Sequence, residues 1–126
     1  GSYLVTNEVL AKVPQIKNYE VGILHLFLQH SSAGITLNEN CDPDVREDMT
    51  NTLNKIVPEG NFYIHADEGP DDMPGHVKST LVGTSLSIPI THGRLATGTW
   101  QGIWLCEFRD YQHTRKIVAT INGKKK

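Results

Sequence analysis

Cysteine is nearly absent from this sequence: Cys41 and Cys106 are the only two in 126 residues. They stand far apart and in no CxxC or Cys/His finger spacing, so a disulfide scaffold and a zinc finger are both excluded. A buried or free thiol in a reducing compartment is the expectation. A secretory signal and an apolar run long enough to span a bilayer are also missing, which makes the cytoplasm the expected location. Nor does one sign of charge dominate. Lysine and arginine number 12 against 14 acidic residues, which removes a broad nucleic-acid or membrane-binding face. The one basic run, Lys124 to Lys126, reads as a solvated tail. Internal repeats and low-complexity segments are absent too.

What remains describes one globular domain over residues 1–126, long enough to bury a core without disulfides or a structural metal. Thr6 to Asn18 predicts a first helix, capped by Thr6, with Val9, Leu10, Val13 and Ile16 at helical spacing and a bend or early stop at Pro14. The nearly all-apolar run Val21 to His30 predicts a central strand covered on both faces. Ala33 to Asn38 follows as the next strand. Asp42 to Val57 is the clearest helix, with Asp42 as N-cap, Pro43 in the first turn and an apolar stripe of Val45, Met49, Leu53 and Ile56. Phe62 to His65 predicts a short strand, and about Met73 to Val82 a helix stopped by Gly83. Four β segments then follow: Ser85 to Ile90, Arg94 to Thr97, Ile103 to Phe108 and Lys116 to Ile121. The class is α+β, with one sheet and helices packed on it.

Six histidines are many for this length. His25 shares a strand face with Ile23 and Phe27 and reads as a hydrogen-bonded core histidine rather than a ligand. His30 ends its strand beside Ser31 and Ser32, where a loop opens and function is commonly placed. His65 runs into the acidic loop Asp67 to Asp72, and His76 follows on the next helix. Imidazole and carboxylate both suit zinc. An eleven-residue His spacing is not a recognised metal motif, however, and a solvated acidic loop with a helix cap has the same pattern. Asn38, Glu39, Asn40 and Asp42 form a second polar cluster. Its helix start offers N–H groups to a phosphate, unless those groups serve only a cap and a turn. Asp48 is either a partly buried acid or a surface charge. In Gly98-Thr99-Trp100-Gln101-Gly102, Trp100 can stack on a flat ligand and Gln101 can hydrogen-bond it, or the Trp simply packs in a turn. Arg94 and Arg109 read as phosphate partners or surface ion pairs, and Lys78 as a partial neutraliser of the acidic loop.

The segments HSSAGITLNENCDPDV, HADEGPDDMPGHVKSTLVGTSLSIPI and GRLATGTWQGIWLCEFRD resemble, in order and nearly in spacing, the YjbQ-like family, whose members are named secondary thiamine-phosphate synthases. The likeness covers about Leu4 to Gly123. It implies a mostly antiparallel α+β fold that forms a homotrimer. It also implies a transferase activity that joins a pyrimidine diphosphate to a thiazole phosphate and releases pyrophosphate. The family's motif positions fall on His30, Asn38, Glu39, Asp42, Asp48, His65, Glu68, Asp72, His76, Thr99, Trp100 and Gln101. On the transferase reading, His30, His65 and His76 hold a divalent metal, zinc by donor type. Glu39 or Asp48 is the general base, and Asn38, Asp42, Glu68, Asp72, Thr99, Trp100 and Gln101 bind a phosphorylated small molecule. No organic cofactor is implied. A metal-dependent hydrolase of another small molecule and a non-catalytic ligand-binding trimer stand as the alternatives. Two departures from the family pattern are expected: the absence of the β segment that family members usually have before the first helix, and Gly75 where Ala is common.

Overall fold

The structure, a computed structural model, describes residues 1–111 and 113–126. Its strands form two antiparallel sheets rather than the single sheet expected. The larger one has the order β5-β4-β2-β7, built from β2 (Tyr19–Leu28), β4 (Ser85–Thr91), β5 (Arg94–Leu95) and β7 (Ile117–Lys125). The smaller one has the order β1-β6-β3, from β1 (Ser2–Leu4), β3 (Ala33–Glu39) and β6 (Gln101–Glu107). The reason lies at residues 29–32. They let the chain leave β2 and enter the other sheet, so β2 and β3 are consecutive without being paired.

The core lies between the sheets. Leu24, Leu26, Leu28, Ile88 and Ile90 come from the larger sheet and Ala33, Ile35 and Ile103 from the smaller, joined by Val13 and Ile16. Alternation along β2 is strict: Leu24, Leu26 and Leu28 point in, while Val21, Ile23 and Phe27 are exposed. The run expected to be covered on both faces is therefore covered on one. His25 is on the outer face, with Nδ1 2.9 Å from the Ser87 hydroxyl, and not in the core.

Among the described residues three α-helices and one 3₁₀ turn frame the sheets. Pro14 divides the first predicted helix as its missing N–H requires, into α1 (Thr6–Lys12) and a 3₁₀ turn over Pro14–Asn18. α2 (Pro43–Ile56) begins at Asp42, whose carboxylate accepts the Asp44 N–H at 2.9 Å. Its apolar stripe is only half covered, and Ile56 is exposed. α3 (Asp72–Val82) packs closely on β3. It stops at Gly83, whose φ of 98° few other residues adopt.

Three further expectations change. Phe62 to His65 is irregular, because no strand lies beside it and the Tyr63 hydroxyl donates back to the Pro58 carbonyl at 2.8 Å. Lys124 and Lys125 are not a loose tail but continue β7 against β2. A β segment does precede the first helix: Ser2–Leu4 pairs with Trp104–Cys106 and covers that edge of β6. Among the described residues no helix is long and apolar enough to cross a membrane.

Candidate metal centre

Two stretches of chain meet at the start of α3. The loop between α2 and α3 brings His65 and Glu68, and the first turn of α3 brings Asp72 and His76, four residues apart and so on one helix face. One potential donor atom from each of these four residues lies within 4.8 Å of the others. Asp72 is the hub. It is buried, and its Oδ2 lies 2.8 Å from His65 Nε2 and 3.2 Å from His76 Nε2. Glu68 Oε2 approaches His65 Nε2 at 3.3 Å.

His76 is oriented from behind. Its Nδ1 lies 2.7 Å from the Ser31 carbonyl oxygen, which only accepts, so Nδ1 carries the proton. That leaves Nε2, which is directed at Asp72, as the ring atom that could coordinate an ion. Such a carbonyl-backed imidazole is the usual partner arrangement of a metal-ligating histidine. Asp72 is held from behind in the same way. Arg109 donates from Nη1 to Asp72 Oδ1 at 2.7 Å, from Nε to Asp71 Oδ2 at 3.1 Å, and from Nη2 to the Glu68 carbonyl at 2.9 Å and the Tyr111 hydroxyl at 3.1 Å. The guanidinium thus pins the loop that carries Glu68 to the start of α3 and leaves Asp72 Oδ2 for the two imidazoles.

Protonation follows from these contacts. Burial pushes Asp72 up, but the hydrogen bond to His65 and the charges of His76 and Arg109 outweigh it and hold the carboxyl below its ordinary value. Asp71 behaves alike: burial opposes ionisation, and the Asp110 N–H and Arg109 overcome it. The hydrogen bond to Asp72 raises His65 above its ordinary value. With two carboxylates and two imidazoles meeting at one point, the donor set suits zinc or another borderline divalent ion.

Of the twelve predicted site residues, four converge here: His65, Glu68, Asp72 and His76. The two acids, expected as ligand contacts, stand among the four potential donors. His30 is not in the group. Its Nε2 accepts the Lys116 backbone N–H at 2.7 Å, so that lone pair is already used. The remaining residues sit elsewhere. His76 lies by the Ala33 end of β3, whereas Asn38, Glu39, Asp42, Thr99, Trp100 and Gln101 lie at its Glu39 end, the other end of a seven-residue strand, or roughly 20 Å. There the Glu39 carboxylate accepts the Cys41 N–H at 2.8 Å and the Asp42 N–H at 3.0 Å, closing the turn into α2. Asn38 Oδ1 accepts the Glu39 N–H, Asn40 bridges to the Thr99 and Gln101 carbonyls, and Gln101 Oε1 accepts the Gly98 N–H. The helix-start N–H groups considered for a phosphate are thus partly taken by Glu39 and Asp42. Trp100 is exposed at the turn before β6, and Asp48 is exposed on α2.

Sequence reasoning missed Ser31 as the backbone partner of His76 and misjudged Arg109, which is neither free for phosphate nor a surface pair. No local spacing signals either contact, since their partners are 45 and 37 residues away. Lys78 is buried, with Nζ on Asn54 Oδ1 of α2, and does not join the acidic loop through a direct ion pair.

The family model described as "UPF0047 protein YjbQ-like" matches residues 1–124. The chain belongs to this family. It is 51% identical to the UPF0047 protein YjbQ of Escherichia coli O157:H7 over 124 residues, covering 98% of this chain and 90% of that one. A UPF0047 protein of Synechocystis is 41% identical over 119 residues, 94% of this chain and 81% of the other. The crystal structure of an uncharacterised YjbQ/UPF0047-family protein from Clostridium acetobutylicum superposes with a TM-score of 0.85 at 36% identity, over 97% of this chain and 91% of that one. A hypothetical protein from Aeropyrum pernix gives the same TM-score at 26% identity, over 98% and 89%. The YjbQ-like fold is therefore the fold of this chain.

Proposed function

We propose that this YjbQ-like protein is a metal-dependent enzyme acting on a small phosphorylated molecule, with His65, Glu68, Asp72 and His76 as the metal's ligands. The observation that carries the reading is the pair of backing contacts, Ser31 carbonyl on His76 and Arg109 on Asp72, which aim both donor atoms at one point. A solvated acidic loop has no need of a buried guanidinium with four acceptors. A divalent ion there would act as a Lewis acid toward a phosphoryl oxygen and its leaving group.

The resemblance to proteins named secondary thiamine-phosphate synthases makes pyrophosphate displacement the first reaction to test. In it, the carbon–oxygen bond to the diphosphate breaks with the electron pair leaving on pyrophosphate, and the thiazole nitrogen takes that carbon. Glu39 is poorly placed as base, because its oxygens close a turn. Trp100 is about 20 Å from the centre within one chain, so any stacking role for it requires a second copy. Exposed Val21, Ile23, Phe27 and Val118 on the outer face of β2 and β7 support such an assembly, a homotrimer on the family likeness. The half-exposed His65 favours hydrolysis as the second reading, since water reaches the centre.

Metal analysis and zinc titration decide the first point. Stoichiometric zinc in wild type, lost in His65→Ala and His76→Ala, is the expected result, and equal zinc in all three removes the proposal. Steady-state synthesis with and without metal then separates transferase from hydrolase. Condensed product above the His65→Ala background supports the former, and metal-dependent turnover without condensation the latter.

A further inference from the structure

Beside the metal centre runs a groove of about 360 Å³ lined by His30, Ser31, His76, Ser79 and Thr84 among others. His76 belongs to both places: its Nε2 is directed at Asp72, and its ring also lines this groove together with His30. The lining has hydroxyls and imidazoles and no carboxylate, so it offers donors to an oxygen-rich ligand.

His30 is the best defined of these donors. A backbone N–H can only donate, so the contact from Lys116 N fixes a lone pair on His30 Nε2. In the neutral ring the proton is then on Nδ1, the reverse of an unconstrained choice. Burial, and next the positive charge of Arg115, lower the pKa of this ring, which favours its neutral form. Among the described residues, Nδ1 has no hydrogen-bond partner. His30 also lines the adjoining groove with Leu28, Gln29 and Arg115, so it stands where the two open spaces meet.

We propose that His30 is a fixed hydrogen-bond donor, through Nδ1–H, to a phosphoryl oxygen of the ligand bound at His76, and is not itself a metal ligand. This rests on the metal-centre reading for its ligand, but not for its tautomer. The chemistry is specific. A donor held by a backbone contact costs little reorganisation when an oxygen arrives.

Two measurements test it. Long-range ¹H–¹⁵N correlation spectra of the metal-free protein should show His30 protonated on Nδ1 and bare on Nε2; the opposite tautomer overturns the inference. Inorganic phosphate is then titrated into zinc-loaded wild type and His30→Gln. Glutamine keeps an acceptor for the Lys116 N–H and lacks the Nδ1 donor. Zinc affinity should be unchanged in His30→Gln, while phosphate affinity falls about tenfold. Lost zinc affinity would make His30 a ligand, and equal phosphate affinity would remove its donor role. If wild type binds no zinc, the metal centre fails, and the donor role is then decided in metal-free protein: a phosphate-induced shift of the His30 Nδ1 signal keeps it, and no shift ends it.

Discussion

Asp72 sends one oxygen to a guanidinium and the other to two imidazoles, and both commitments have measurable consequences. Replacing Arg109 by Met leaves Asp71 and Asp72 buried without their cation. Loss of one partner of a buried pair typically costs about 3–5 kcal/mol, so urea denaturation of Arg109→Met should show a loss of that order. The milder Arg109→Lys keeps the charge and loses the fork. Zinc affinity should fall about 10- to 100-fold, as when an outer-shell partner is removed; an unchanged affinity in both variants would show that Arg109 does not position Asp72.

The same contacts set the response to pH in metal-free protein. His65 is raised above 6.5 by its bond to Asp72, so its contribution is complete below about 6.5 and is lost as pH rises through the raised value. Asp72 is held below 3.8, so its contribution is present above about 3.8 and is lost as pH falls through the depressed value. Thermal unfolding followed from pH 3 to 9 should therefore show the metal-free site contributing most between those limits. Zinc should reverse the alkaline limb, because metal must displace the His65 proton and binds more tightly as pH rises. A zinc affinity flat across that range would contradict ligation by His65.

At the scale of the element, α3 is set by how closely it lies on β3. A Cβ on Gly34 would fall 2.7 Å from Val82 Cγ1 and 3.2 Å from the Gly83 carbonyl, so Gly34→Ala must push the helix off the strand. A Cβ on Gly75 meets Ser32 and Phe108 at 3.5–3.6 Å, ordinary contact distances. Alanine therefore fits there and restores helix propensity. Gly75→Ala should stabilise by about 0.5–1 kcal/mol, and Gly34→Ala should destabilise by about 1–3 kcal/mol. Chemical denaturation of the two variants checks both signs. Because Gly75 lies one turn from Asp72 and one residue from His76, Gly75→Ala also asks whether a stiffer helix alters zinc uptake.

For the whole molecule the exposed apolar face of β2 is the feature to explain. Val21, Ile23 and Phe27 alternate with Leu24, Leu26 and Leu28 of the core, so this strand carries apolar side chains on both faces but has protein on only one. A strand of that composition is typical of a sheet covered on both sides. If copies of the chain supply the second cover, wild type should sediment as a trimer, and Ile23→Glu with Phe27→Glu should sediment as a folded monomer. A monomeric wild type would show that the face has another use.

Sequence alone determined α2 from its Asp42 cap, the split of the first helix at Pro14 and the β character of the C-terminal half, because caps, prolines and alternation act through neighbours in the chain. Its motif blocks pointed to the family. The Thr6 cap was not among these, since the Thr6 hydroxyl accepts the Ile103 N–H instead. It also marked His65, Glu68, Asp72 and His76, of which Asp72 and His76 share one helix turn. Only the tertiary structure decided that the strands divide into two sheets. It alone separated Glu39 and Trp100 from the histidines along β3, and tied His30 to Lys116, His76 to Ser31 and Asp72 to Arg109. Those contacts join residues 37 to 86 positions apart, and their geometry is fixed by packing rather than by any local preference of the chain.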